Sequence, residues 1–145
     1  MNEASCQQLE KSVLIIDDEA LIRMNLAASL EDEGVFQNIY EADSGAGAIA
    51  ELKLRREQGS PINLAIVDLR LPDMQGEALI LNLLEHQPEL KIIIHTGSTE
   101  FTPSKVLVDK GIQHRNIIHK PLVNIEILKK RIRELDNQHP MELDA

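Results

Sequence analysis

Short, almost continuously apolar runs alternate along this chain with longer stretches in which apolar residues recur every three or four positions. That is the pattern of buried parallel strands joined by crossover helices. Five such units are read. Val13 to Ile16 is a buried first strand, followed by a helix from about Ala20 to Glu33 with Ile22, Leu26 and Leu30 at fourfold spacing, ending at Gly34. Asn38 to Ala42 is a second, more polar strand, and Ser44 caps a helix carrying Ala48, Ile49 and Leu52 before Gly59, Ser60 and Pro61 mark a turn. Ile62 to Val67 reads as a third strand buried on both faces, and it stops at Asp68. Gly76 opens a helix bearing Leu79, Leu83 and Leu84, Pro88 breaks the chain, and Ile92 to His95 is the fourth strand. Thr102 with Pro103 is read as the cap and first-turn pair of a short helix ending at Gly111. Asn116 to His119 is the fifth strand, and a last helix places Ile125, Leu128, Ile132 and Leu135 on one side. The predicted fold is α/β, a five-stranded parallel, doubly wound sheet over residues 11–136, with polar tails at 1–10 and 137–145.

A chain of 145 residues suits a single core, and 43% hydrophobic with 27% charged residues is ordinary for a globular protein. The formal charge of -9 argues against direct binding to nucleic acid, which needs clustered outward-facing Lys and Arg. The basic residues here are scattered. No apolar run approaches the roughly 18 residues of a membrane span, and Met1 to Glu10 lacks the basic and apolar regions of a secretory signal. The single Cys6 cannot close an intramolecular disulfide. A reducing cytoplasm is the expected compartment. No second domain or linker is read, so any output is expected to pass through another molecule.

In an open parallel sheet, ligands bind outside the carboxyl ends of the strands, where strand order reverses. Asp17 and Asp18 end the first strand, Asp68 the third, Thr96 the fourth and Lys120 the fifth. Any one of these is unremarkable alone, because acids often end strands and a lone Lys usually points to solvent. Together they carry complementary chemistry. Three carboxylates within about 4 Å would repel by roughly 4 kcal/mol per pair at an effective dielectric of about 20, so the site calls for a cation or raised pKa values. All-oxygen ligands select a hard ion, with Mg²⁺ the expected occupant. Such an ion would shield the approach of an anionic donor to Asp68, Lys120 would add a second positive charge, and the Thr96 hydroxyl can donate to a phosphoryl oxygen.

Val-Leu-Ile-Ile-Asp-Asp-Glu at 13 to 19, Val-Asp-Leu-Arg-Leu-Pro-Asp-Met-Gln-Gly at 67 to 76, Thr96-Gly97 and Lys120-Pro121 resemble the receiver domain of two-component response regulators. The Ala42, Gly45, Ala48 pattern is similar to that family as well, and the resemblance covers nearly the whole chain. It implies a flavodoxin-like receiver fold of the stand-alone, single-domain type. Asp68 would be the phosphorylated aspartate, Asp18 a direct metal ligand, Asp17 a ligand through water, and the backbone carbonyl of Arg70 would complete the metal shell. Thr96 would be the switch hydroxyl and Lys120 the phosphoryl contact, with the Lys120–Pro121 bond cis. The implied function is a phosphoacceptor switch, not an enzyme beyond self-catalysed phosphotransfer and dephosphorylation. It would be charged by a histidine kinase or a histidine phosphotransfer protein and read by a downstream protein partner.

One departure from the family pattern is Ile117, three positions before Lys120, where many receivers carry a Tyr or Phe that turns inward on activation. Isoleucine cannot make that change, so transmission must be built differently. Arg70 and Ser98, two beyond Asp68 and Thr96, are placed to tune access of water to an acyl phosphate. Two other readings stand beside the phosphoacceptor. One is a receiver-like protein-binding module independent of phosphate, which Ile117 favours and the acidic set opposes. The other is a flavin or nucleotide binder, which lacks a Gly-rich phosphate loop and has only Phe36, Tyr40 and Phe101 for stacking. Finally, alternation along the strands predicts that His95 and His119, each one residue before a site residue, lie side by side on the opposite face, either as neutral core residues or as a coupled pair.

Overall fold

A computed structural model of the protein describes residues 11–136, and both expected polar tails lie outside the described residues. The strands are β1 (Ser12–Ile16), β2 (Asn38–Ala42), β3 (Leu64–Val67), β4 (Lys91–Thr96) and β5 (Ile117–His119). All pair in parallel, in the order β2-β1-β3-β4-β5. The first crossover carries the chain from β1 outward to β2, and the next brings it back past β1 to β3. The reversal therefore lies between β1 and β3, with a crevice at their carboxyl ends.

Between the strands run α1 (Ala20–Glu33), α2 (Gly45–Glu57), α3 (Gly76–His86), the short α4 (Lys105–Asp109) and, last, α5 (Ile125–Asp136). Strand alternation divides the core into two layers. Leu14, Ile16, Val67 and Ile94 face Leu52 of α2, Leu79 and Leu83 of α3 and Leu107 of α4. Val13, Ile15, Ile66 and Ile93 face Leu26 and Leu30 of α1 and Leu128, Ile132 and Leu135 of α5. Because β1, β3 and β4 are covered on both sides, their sequences are apolar at nearly every position, and their ends are the only places where polar residues meet solvent. The described residues contain no helix long and apolar enough to cross a membrane.

The structure shifts several expected boundaries. Ser104, not Thr102, caps α4, its hydroxyl accepting from the Leu107 N–H, and the helix ends at Asp109. Thr102 precedes Pro103, which biases it toward extended backbone. Asn116 closes a 3₁₀ turn, His114–Asn116, instead of opening β5; its side chain accepts from Gln113 N–H and donates to the Ile92 carbonyl, locking the turn to β4.

The side-by-side placement of His95 and His119 is overturned. Cross-strand register sets His95 against Ile118 and Thr96 against His119, one residue away from the expected match. Alternation then sends the two imidazoles to opposite faces, with His95 buried and His119 exposed. His95 acts alone. Burial, helped by the nearby Lys120 charge and opposed by Asp17, pulls its pKa down to about 4, and its Nε2 has no hydrogen-bond partner among the described residues. The unfolded chain takes up this proton first, near pH 6.5, so stability is full above that pH and falls as pH drops from about 6.5 toward 4. Denaturant unfolding at pH 7.5 and 5.5 is expected to show the wild type losing about 1 kcal/mol more than His95→Leu. Equal losses would remove His95 from the acid response.

Candidate functional site

The sheet ladder runs one residue beyond the strands and thereby fixes the acids. Asp17 N–H donates to the Ala42 carbonyl (3.1 Å), Asp68 N–H to Ile16 (2.9 Å) and Lys120 N–H to Thr96 (2.7 Å). Three strand ends thus converge on the crevice with their backbone N–H groups already paired. The turn after β1 is held twice more: Asp17 Oδ1 accepts from Glu19 N–H, and the Arg23 guanidinium donates to the Asp17 carbonyl at 2.7 Å while pairing with Glu41 at 2.9 Å.

Asp17, Asp18 and Asp68 each offer an oxygen within 4.8 Å of the others. Lys120 reaches into the group from the far side, with Nζ 3.0 Å from Asp17 Oδ2, 3.5 Å from Asp68 Oδ1 and 3.7 Å from Glu19 Oε1. A cavity of about 390 Å³ opens above them, lined by Asp18, Asp68, Arg70, Thr96, Ser98 and Lys120, together with Glu19 and Gly97. Asp17 lies buried beneath it.

Burial raises the Asp68 pKa above the ordinary carboxylate value, with the Asp17 charge adding to the shift, while Arg70 N–H and Lys120 pull it partly back. For Lys120, burial favours the neutral amine, but the hydrogen bond to Asp17 and the charges of Asp68, Asp17 and Glu19 outweigh it and leave its pKa raised. The ammonium is therefore a permanent charge of the site. Both contacts of Asp68 to protein donors, Arg70 N–H at 3.2 Å and Lys120, fall on Oδ1. Thr96 Oγ1 accepts from Ser98 N–H at 3.0 Å, which orients the hydroxyl and leaves its proton to donate elsewhere.

The donor set suits a hard divalent cation. It is all carboxylate oxygen, and among the described residues the buried Asp17 Oδ2 is met by nothing but Lys120 Nζ at 3.0 Å. One ammonium against three closely spaced aspartates leaves excess negative charge for an ion to neutralise.

The expected residues Asp17, Asp18, Asp68, Arg70, Thr96, Ser98 and Lys120 are all brought to this crevice, and the Lys120–Pro121 bond is cis. Ile117 stands apart, buried against the α2, α3 and α4 layer. Sequence reasoning passed over Glu19 and Arg23. The third consecutive acid after β1 was a local signal for Glu19, whereas the carbonyl bond of Arg23 depends on how α1 leaves the turn.

Comparison with known proteins agrees with this fold. The family described as the response regulator receiver domain matches residues 13–133. The photosynthetic apparatus regulatory protein RegA of Rhodobacter capsulatus is 32% identical over 102 residues, 70% of this chain and 52% of that protein. The sensor kinase CckA of Brucella abortus is 30% identical over 89 residues, 61% of this chain but 9% of the kinase. The chain thus spans from about a tenth to about half the length of such curated relatives. Among solved structures, a CheY-like receiver domain protein from Methanospirillum hungatei superposes with a TM-score of 0.66 at 27% identity, covering 93% of this chain and 98% of that one. The response regulator TrrA of Thermotoga maritima, in complex with Mg(2+)-BeF, gives 0.67 at 25% identity, covering 86% and 98%. With the fold, the acidic crevice and the family match in agreement along nearly its whole described length, this chain belongs to the response regulator receiver domain family.

Proposed function

We propose that the chain is a phosphoacceptor switch that takes a phosphoryl group from a phosphohistidine donor onto Asp68. The observation that supports this most is the gathering of Asp68, the acidic pair, Lys120 and Thr96 around one cavity. Asp68 Oδ1 is engaged by Arg70 N–H and Lys120, which leaves Oδ2 as the attacking oxygen. Its attack forms an O–P bond and breaks the donor's N–P bond, and the imidazole departs with the electron pair and takes up a proton. Lys120 balances negative charge as it builds on the phosphoryl oxygens, and the Thr96 hydroxyl donates to one of them. Asp18, Asp68 and the Arg70 carbonyl would hold Mg²⁺ directly, with Asp17 acting through water, and the ion would supply charge neutralisation at the phosphoryl group. The likeness to TrrA in complex with Mg(2+)-BeF supports that choice of ion.

The phosphoryl donor would be a histidine kinase or a histidine phosphotransfer protein, and the readout a downstream protein. With Ile117 packed in the core, the signal would pass through Thr96 into the loop from Gly97 to Pro103 and on to α4, where Val106 and Val108 are about half exposed. Incubation of the full chain with acetyl phosphate and Mg²⁺ is expected to add one base-labile phosphoryl group by intact mass, and excess chelator should abolish it. Labelling undiminished in chelator would overturn the metal-assisted reading.

A further inference from the structure

The loop between β3 and α3 carries Arg70 at its start and closes on itself, Gly76 N–H donating to the Leu69 carbonyl while Arg70 bridges to Gln75. One flank of this loop borders an open groove of about 670 Å³ that Phe101 also lines. The opposite flank is pinned. Asp73, at the loop tip, accepts from the N–H groups of Gly45 at 2.8 Å and Ala46 at 2.9 Å, one with each carboxylate oxygen.

These are two of the donors that the first turn of α2 cannot satisfy within the helix. Ser44 takes Gly47 through its hydroxyl, so the cap of α2 is shared between its own Ser44 and a residue 28 positions away. Met74 adds a second tie by lying across the same turn: a Cβ on Gly45 would sit 2.5 Å from Met74 Cγ.

Resting on the phosphoacceptor reading above, we infer that Asp73 is a positioning residue for the metal site, capping α2 from outside so that the loop bearing the Arg70 carbonyl is set before any ion arrives. A cap that only stabilised α2 would matter equally at Ser44. A tether between helix and loop makes Asp73 matter to the ion and Ser44 not. The carboxylate is exposed, so its removal leaves no cavity and the variants are expected to fold.

Calorimetric titration of the full chain with Mg²⁺ alone separates the possibilities. Asp73→Ala is expected to weaken binding by about three- to tenfold and Asp73→Asn, whose one acceptor oxygen can keep only one of the two N–H bonds, by less, with Ser44→Ala within about twofold of wild type. The amide resonances of Gly45 and Ala46 should move upfield in Asp73→Ala, and that of Arg70 should shift with them. Unchanged affinity in Asp73→Ala would overturn the inference. So would an equal loss in Ser44→Ala, which would trace the effect to helix stability, or a loss in Asp73→Ala that high salt erases, which would trace it to charge. A wild type that binds no Mg²⁺ overturns the phosphoacceptor reading and this inference with it; binding that Asp73→Ala leaves intact overturns this inference alone.

Discussion

Asp68→Asn is expected to abolish phosphoryl labelling while making the metal-free protein more stable. The amide oxygen can still accept from Arg70 N–H, so the loop geometry survives, but the side chain is no longer a nucleophile. Stability moves the other way because burial is the largest influence on the Asp68 carboxyl and raises its pKa. An acid whose folded pKa lies above its unfolded value penalises the fold at neutral pH, and the penalty fades as pH falls through the folded pKa. Removing the charge therefore removes the penalty. Lys120 keeps Asp17 and Glu19 as partners, so it is not stranded. Thermal unfolding at pH 7.5 without divalent ions should show a midpoint a few degrees above wild type, and the difference should shrink toward pH 4. A lower midpoint would mean that the Asp68–Lys120 contact outweighs the cost of burial.

Gly76→Ala is expected to cost about 3 kcal/mol, the upper part of the range for an over-filled site. An added Cβ would lie 2.5 Å from Leu69 Cα and 3.0 Å from the Asp68 carbonyl oxygen. The obstacle is backbone, and it is the backbone that presents Asp68. Relief requires moving Leu69 away from α3, so Mg²⁺ affinity should fall with stability. Gly97→Ala is the matched control, since nothing lies within 4 Å of its Cβ position and its effect should stay within about 0.5 kcal/mol. Urea unfolding of the two variants decides the matter. Equal stabilities would show that the loop yields freely and that the close approach of Gly76 is not a constraint.

Much of this architecture is legible in the sequence because its strands are buried on both faces. Runs such as Val13 to Ile16 and Ile92 to Ile94 admit few alternatives, and the polar residue that ends each run marks a strand end where a ligand can sit. Asp17, Asp18, Asp68, Thr96 and Lys120 stand out in the sequence for that reason, and the fold gathers them around one crevice. What stayed hidden depends on offsets between distant segments. Nothing local distinguishes Thr96 opposite His119 from Thr96 opposite Lys120, yet that single step decides that His95 is buried alone. Likewise Asp73 reads as an ordinary turn residue until the fold brings Gly45 and Ala46 within reach of it. The cap of α4 failed on a smaller scale, where Thr102 and Ser104 flank the same proline and only backbone direction selects between them.

The central claim is that Asp68 becomes an acyl phosphate. Borohydride reduces an acyl phosphate to an alcohol but leaves a free carboxylate untouched. Treating the acetyl phosphate-labelled protein with borohydride and mapping its peptides by mass spectrometry should therefore place homoserine at position 68. An unmodified Asp68, or a reduced residue at Asp17, Asp18 or elsewhere, would contradict the account.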